Sequence, residues 1–245
     1  MIGLNKLSTI PLRALGSDKS EMVTQLLYGE SYDVTEEAEK WLKIKSHSDL
    51  YEGWISKEQF FEVHEIEERS VLRAMDCSLI ISSDSPPILL SPGSRLSSQE
   101  LKQVDTPYGT RTITCEVLDL EQAISLARKF LNSPYLWGGR SRWGIDCSGF
   151  TQVILLSMGV TVARDASQQA LIGKEIHFEN RQRGDLAYFK NKEGEITHVG
   201  LLLGPDQIIH ASGMVRIDEL DSKGILKKEL GRHSHVFSHL RRITI

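Results

Sequence analysis

The sequence predicts an α+β protein whose first half is rich in β-strands and whose second half begins with two helices. Three observations support this class. Residues 1 to about 115 contain short alternating stretches separated by turn residues, without a helical stripe. Two segments after residue 115 carry apolar residues at helical spacing, and a run of strand-like stretches follows them. Helices followed by antiparallel strands are typical of α+β domains.

The first half reads as small β-barrels. "KWLKIKS" (40–46) alternates, with Leu42 and Ile44 on one face, as a half-buried strand does. "YGESYDV", "YEGWIS" and "CSLIISS" are further short strand candidates, and such spacing favours barrels. The Ser- and Pro-rich segment 82–100 predicts a long loop, which serves either as a linker or as a wall of a neighbouring site.

The second half begins with two predicted helices. Asp119 is a good N-cap for the first, Pro134 stops it, and its apolar face is Leu120, Ala123, Ile124, Ala127, Phe130 and Leu131. The second runs from Cys147 to Met158, with Gly159 ending it and Phe150, Ile154 and Met158 facing inward. Strand-like stretches follow at 184–190, 197–203, 207–212 and 214–218.

Composition excludes several classes of protein. The 245 residues are 40% hydrophobic and 25% charged, with a net charge of -4 and without the basic stripe of a nucleic-acid binder. The apolar runs are far shorter than the ~20 residues of a membrane-spanning helix. Polar residues interrupt the first segment, so it lacks a signal-peptide core, and three cysteines form no pairing pattern. We therefore expect a cytoplasmic protein.

Cys147 lies where a glycine-rich loop gives way to a helix, between Asp146 and Ser148. Exposed N–H groups at a helix start favour an anion, which predicts a lowered thiol pKa. A thiolate that attacks a carbonyl also needs a base. His198 and His210 lie on adjacent predicted strands joined by "LGPD". A loop of three or five residues would place them opposite each other on one face, whereas two or four residues would place them on opposite faces.

Three further histidines lie in "HSHVFSH" (233–239). Their spacing fits no strong zinc signature and no cysteine lies near them in the sequence. The pattern therefore predicts a solvent-exposed edge strand rather than a metal site, and we expect neither a metal nor another cofactor.

Several motifs together resemble the NlpC/P60 cysteine peptidases, which have a papain-like core and cleave bacterial cell-wall peptides. They are "YLWGGRSRWGIDCSGF" (135–150), "RQRGDLAYF", "THVGLLLG" and "QIIHASG". "RDASQQ" (164–169) resembles the γ-D-glutamyl-L-diamino acid endopeptidases of the dipeptidyl-peptidase VI type, which carry N-terminal bacterial SH3-like domains. The resemblance implies an SH3-like domain over 1–62, a second, degenerate SH3-like module over 63–116 and a peptidase domain over 117–245.

The resemblance also implies a role for each matching residue. Cys147 matches the nucleophile, His198 the general base and His210 the group that orients this base through its second ring nitrogen. Tyr135 matches a tyrosine that helps to hold the oxyanion together with the backbone N–H of Cys147.

The implied substrate is a free murein peptide such as L-Ala-γ-D-Glu-meso-diaminopimelate, cut after D-Glu during recycling of wall peptides. Glu30 and Tyr51 of the SH3-like domain match the residues that bind its free ammonium, with Asp146 reaching from the peptidase side. The other cleft residues implied by the resemblance are Trp137, Ser148, Arg164, Asp165 and Ser167.

Two alternatives come from other classes. In a non-catalytic wall-binding protein the SH3-like domains would act alone, but Cys147, His198 and His210 are all present. In an acyltransferase on a related, permuted scaffold the histidine would precede the cysteine, which is the opposite of the order here. The sequence therefore favours the peptidase.

Overall fold

The computed structural model describes residues 1–80, 86–105 and 115–244. The chain divides into two compact units. The first comprises Met1–Val117 and Trp137–Arg142, and the second comprises Leu118–Leu136 and Trp143–Ile245. In the described ranges, no helix is long and apolar enough to cross a membrane.

The first unit begins with an antiparallel sheet in the order β3-β2-β6-β5-β4-β1-β7. Its strands are β1 (Ile2–Leu4), β2 (Thr9–Arg13), β3 (Met22–Leu27), β4 (Ser31–Glu37), β5 (Trp41–Ser46), β6 (Glu52–Ser56) and β7 (Glu62–Val63). The alternation predicted for residues 40–46 is confirmed, because Leu42 and Ile44 are buried in the core of this sheet while Lys43 is half-buried.

The described residues between 63 and 105 form most of a second core in the same unit, to which Tyr28 also contributes. The strands here are β8 (Ser70–Val71), β9 (Cys77–Leu79), β10 (Ile88–Leu90), β11 (Arg95–Leu96) and β12 (Val104–Asp105). Strand β9 pairs with β10 and β12, and β8 pairs with β11. Since Tyr28 shares this core, the second module over 63–116 and its boundaries stay a prediction. A last strand, β13 (Arg140–Ser141), also belongs to this unit.

The long loop predicted for residues 82–100 is not what the structure shows. Residues 82–85 lie outside the described ranges, but β10 and β11 both form within the remainder. Leu90 and Leu96 anchor these strands in the core, where each is at most 1% exposed. The composition of the segment concealed them, since serine and proline surround only a few apolar residues.

Two predicted helices open the second unit. Helix α1 (Leu120–Lys129) begins at the expected N-cap, Asp119, whose side chain accepts a hydrogen bond from the backbone N–H of Gln122. Helix α2 (Cys147–Ser157) begins at the expected residue and is followed by Gly159, which has a positive φ of 79°. Every residue of α2 is buried, so the predicted single inward face was too narrow.

The sheet of the second unit follows these helices. Its strands are β15 (Lys174–Ile176), β16 (Leu186–Lys190), β17 (Ile196–Gly204), β18 (Gln207–Ser212), β19 (Met214–Asp221), β20 (Gly224–Lys227) and β21 (Arg232–Arg242). The unit also contains β14 (Gly144–Ile145) before α2 and the short helix α3 (Ala166–Gln169) before β15. Strands β16 to β21 close into a barrel, because β21 pairs with both β16 and β20. The barrel encloses a core that includes Phe189, Leu202 and Ile208.

The sequence predicted that the strand with the three further histidines is a solvent-exposed edge, and this prediction is wrong. Strand β21 pairs with β20 over residues 232–236 and with β16 over residues 236–241, and β15 pairs with its last three residues. The α+β class is confirmed: an all-β region precedes a domain of few helices and a β-barrel.

Candidate active site

Cys147 is the first residue of α2 and is 6% exposed. The helix begins here because the Asp146 carboxylate accepts a hydrogen bond from the backbone N–H of Gly149 at 2.7 Å. The backbone N–H groups of Val199 and Ser148 donate hydrogen bonds to the Cys147 sulfur. The Cys147 sulfur therefore contacts Val199 of β17, the residue that follows His198.

The predicted decrease of the thiol pKa is wrong. Burial raises the pKa of the Cys147 thiol to about 12, and the negative charge of Asp146 acts in the same direction. The hydrogen bonds from Val199 and Ser148 and the positive charge of Arg164 oppose this rise without cancelling it. The sequence indicated that Cys147 begins a helix, which favours a lower thiol pKa. It did not indicate how deeply Cys147 is buried, and burial has the larger effect on this pKa.

His198 and His210 are joined directly: 2.8 Å separates His198 Nε2 from His210 Nδ1. Both are buried, at 5% and 0% exposure. Leu202 lies opposite Ile208, so His210 faces Gly200 and lies on the same side of the sheet as His198, offset by two residues.

The turn between these strands has two residues, Pro205 and Asp206, a length that was expected to place the histidines on opposite faces. A β-bulge between Leu202 and Gly204 adds one residue to β17 and restores the common face. The sequence offered no signal for this bulge.

Two residues that sequence reasoning missed contact the histidine pair. Asp218 Oδ2 lies 2.9 Å from His210 Nε2, and Arg216 donates a hydrogen bond to the other carboxylate oxygen at 2.7 Å. His235 stacks on His198, with ring centroids 4.0 Å apart and 21° between the planes. Within the described ranges, no group of three or more His, Cys, Asp or Glu side chains is arranged to hold a metal ion.

Burial also sets the charge of the histidines. It lowers the pKa of His198 well below the usual value, with smaller contributions from the nearby His210, His235 and Lys227. It lowers the pKa of His210 as well, against the opposing effect of Asp218, and brings the pKa of His235 to about 4. All three rings are therefore neutral at pH 7.

Asp146, Ser148 and Arg164, three predicted cleft residues, form a buried cluster. Arg164 Nη1 donates to Asp146 Oδ1 at 3.0 Å and to Ser148 Oγ at 2.8 Å, and its Nη2 donates to Asp146 Oδ2. Both carboxylate oxygens of Asp146 accept hydrogen bonds from Arg164, and the cluster secures the start of α2. The expected contact of Asp146 with a ligand ammonium stays a prediction.

Tyr135, Asp165 and Ser167 have different surroundings. Tyr135 is close enough to Cys147 that this thiol and Asp146 add to the effect of burial, which raises the phenol pKa to about 12. The phenol therefore keeps its proton at neutral pH and can donate a hydrogen bond. Asp165 is half-buried directly before α3, and Ser167 is exposed within it.

The remaining predicted site residues belong to the first unit. Glu30 is fully buried: Arg140 donates to both of its carboxylate oxygens, at 2.8 and 3.1 Å, and the Leu27 N–H donates to one of them. Glu30 is thus held by Arg140 within the first unit, and its expected contact with a ligand ammonium stays a prediction. Tyr51 is half-buried directly before β6, and Trp137 is 58% exposed, with its indole N–H donating to Glu21.

Two family models match the chain. The NlpC/P60 family matches residues 132–233, and the bacterial dipeptidyl-peptidase SH3 domain matches residues 12–60. The first match contains all four proposed catalytic residues, and the second contains Glu30 and Tyr51.

Named relatives match over most of their length. A γ-D-glutamyl-L-lysine dipeptidyl-peptidase of Bacillus subtilis is 30% identical over 77% of this chain and 71% of its own. A protein of the same name from Bacillus cereus is 24% identical over 90% of this chain and 77% of its own. A crystal structure of an NlpC/P60 family protein from Bacillus cereus covers 99% of both chains with a TM-score of 0.81 at 21% identity, which shows a shared fold. The chain therefore belongs to the NlpC/P60 family of peptidases and carries a bacterial dipeptidyl-peptidase SH3 domain before its peptidase domain.

Proposed function

We propose that this protein is a cysteine peptidase in which Cys147 is the nucleophile, His198 the general base and His210 the residue that orients the base. One observation carries the proposal. Cys147 begins a helix and its sulfur accepts a hydrogen bond from the Val199 N–H of β17, and His198, which precedes Val199, is hydrogen-bonded through Nε2 to His210. A thiol, a base and an orienting group are the parts that nucleophilic acyl transfer requires.

Burial determines how the thiol is activated. It raises the pKa of Cys147 and lowers the pKa of His198, so the resting pair is neutral rather than a thiolate beside an imidazolium. The thiol proton then passes to His198 Nδ1 as the sulfur attacks the carbonyl carbon. In the proposed mechanism the Tyr135 hydroxyl, which keeps its proton because its pKa is raised, and the Cys147 N–H donate hydrogen bonds to the oxyanion.

The rest of the cycle returns this proton. His198 donates it to the departing amine as the carbon–nitrogen bond breaks, which leaves a thioester on Cys147. Water then attacks the thioester, with His198 again accepting a proton, and the acid is released with the free thiol.

The proposed substrate is the γ-D-Glu–L-diamino acid bond of a free murein peptide with an N-terminal L-Ala. The names of the two relatives specify L-lysine as the diamino acid, and the motif resemblance favours meso-diaminopimelate. Both share the γ-D-glutamyl amide that would be attacked. We further propose that the reaction serves the recycling of wall peptides in the cytoplasm.

The test uses two tripeptides, L-Ala-γ-D-Glu-L-Lys and L-Ala-γ-D-Glu-meso-diaminopimelate, with products identified by mass spectrometry. Release of L-Ala-γ-D-Glu by the wild type, its loss in Cys147→Ala and its retention in Cys115→Ala are expected. Cys115 is a half-buried cysteine of the first unit and serves as the matched control. Binding of either peptide without cleavage would favour the wall-binding alternative, and cleavage by Cys147→Ala would exclude Cys147 as the nucleophile.

A further inference from the structure

A buried line of hydrogen bonds crosses three neighbouring strands of the barrel. It runs from His198 on β17 to His210 on β18 at 2.8 Å, and from His210 to Asp218 on β19 at 2.9 Å. Asp218 lies opposite Ile208, which is two residues from His210 on β18. In the same way, His210 lies opposite Gly200, which is two residues from His198 on β17. The three residues are at most 7% exposed, so water does not compete for these bonds.

The carboxylate at the end of this line fixes where the protons lie. Burial acts to raise the pKa of Asp218, but hydrogen bonds from His210 and Arg216 outweigh it and bring the pKa to about 2. An ionised carboxylate can only accept, so His210 Nε2 must donate to it. A neutral imidazole has one N–H, which makes His210 Nδ1 an acceptor and requires His198 Nε2 to donate.

We infer that Asp218 is a positioning residue that sets the tautomers of both histidines and so keeps His198 Nδ1 deprotonated for the thiol proton. The inference rests on the proposed function of Cys147 and His198 and adds to it the residue that prepares the base. Arg216 holds Asp218 Oδ1, which leaves Oδ2 aimed at His210. The negative charge of Asp218 also stabilises the imidazolium that forms when His198 accepts the proton.

The first test needs no substitution. Nitrogen-15 NMR of the imidazoles at pH 7 distinguishes a proton on Nδ1 from a proton on Nε2. The expected result is that both His198 and His210 carry it on Nε2. A proton on Nδ1 of either ring would overturn the inference, whatever the activity of the enzyme.

The second test compares Asp218→Asn with Asp221→Asn. Asp221 lies on the same strand and pairs with His233 near the surface, outside the proposed machinery, so it is the matched control. In Asp218→Asn the amide can donate to His210, which reverses both tautomers. We expect kcat to fall about 10- to 100-fold with KM nearly unchanged, whereas Asp221→Asn keeps wild-type kcat.

The pH profile separates positioning from support of the fold. The groups that affect the charge of the histidine pair are Asp218, Arg216, Lys227 and His235. Loss of the Asp218 charge removes a stabiliser of protonated His210, so the acidic limb of kcat/KM should move to lower pH in Asp218→Asn. Wild-type kcat and an unshifted limb would refute the role of Asp218, and activity of Cys147→Ala would separately refute the proposed function.

Discussion

Gly200 provides a direct test of whether the histidine pair controls the reaction. It lies opposite His210, and a Cβ added there would be 2.9 Å from the His210 Cβ and 2.7 Å from Ile208 Cδ1. Carbon atoms in contact are normally ~3.5–4.0 Å apart, so His210 would have to move by about 0.6–1 Å in Gly200→Ala. Since Ile208 is fully buried, its side chain cannot move freely out of the way.

That movement is enough to break the link to the base. A displacement of this size directed away from His198 would lengthen the 2.8 Å contact between His198 Nε2 and His210 Nδ1 to as much as about 3.4–3.8 Å, beyond an effective hydrogen bond. We expect kcat to fall about 10- to 100-fold, which is less than the roughly 10²- to 10⁴-fold contribution of a positioned base because His198 itself remains. The overpacked barrel should also lose about 1–3 kcal/mol in its free energy of unfolding.

Gly204→Ala on the same strand is the matched control, because an added Cβ there would meet no atom of the described residues within 4 Å. Both variants would be assayed for kcat and KM with the γ-glutamyl tripeptides and for thermal unfolding. A Gly200→Ala enzyme within twofold of wild-type kcat, or an equal loss in Gly204→Ala, would refute the reasoning.

Two further predictions concern burial. Glu30→Gln should lower the free energy of unfolding by about 3–5 kcal/mol, because it leaves the guanidinium of Arg140 buried without its charge partner. Glu37→Gln at the surface pair with Lys57 should cost at most ~1 kcal/mol, and equal urea midpoints for the two variants would contradict this account. Since the pKa of Cys147 is raised, its alkylation by iodoacetamide, followed by mass spectrometry of its peptide, should accelerate about tenfold per pH unit from about pH 7 to 10. A plateau below about pH 8 would instead indicate a stable thiolate beside an imidazolium.

The sequence predicted features that depend on neighbouring residues. The starts of α1 and α2 follow from capping side chains within three residues, and the alternation of β5 follows from period-two burial. The catalytic candidates were reached through motif resemblance. The NlpC/P60 model matches the segment that contains Cys147, His198 and His210, while their roles stay a prediction.

The sequence did not predict features that depend on distant pairing. The bulge after Leu202 decides the face of His198, but it is visible only once β17 and β18 are in register. Closure of the barrel by β21 brings His235 onto His198, 37 positions away in the sequence. The ion pair of Glu30 with Arg140 joins residues 110 positions apart, so the burial of Glu30 could not be read from its local setting.

Two carboxylates in the second unit, those of Asp146 and Asp218, differ in whether their negative charge can stabilise a positive charge that forms during the proposed reaction. Arg164 contacts both oxygens of Asp146, so the charge of Asp146 is already balanced and serves the start of α2. Asp218 is shared, with Arg216 on one oxygen and His210 on the other. The resting thiol and imidazole are both neutral because burial disfavours their charged forms, so proton transfer creates a new positive charge in a buried site. Asp218 can balance that charge through His210, and this is why its removal should slow proton transfer rather than weaken peptide binding.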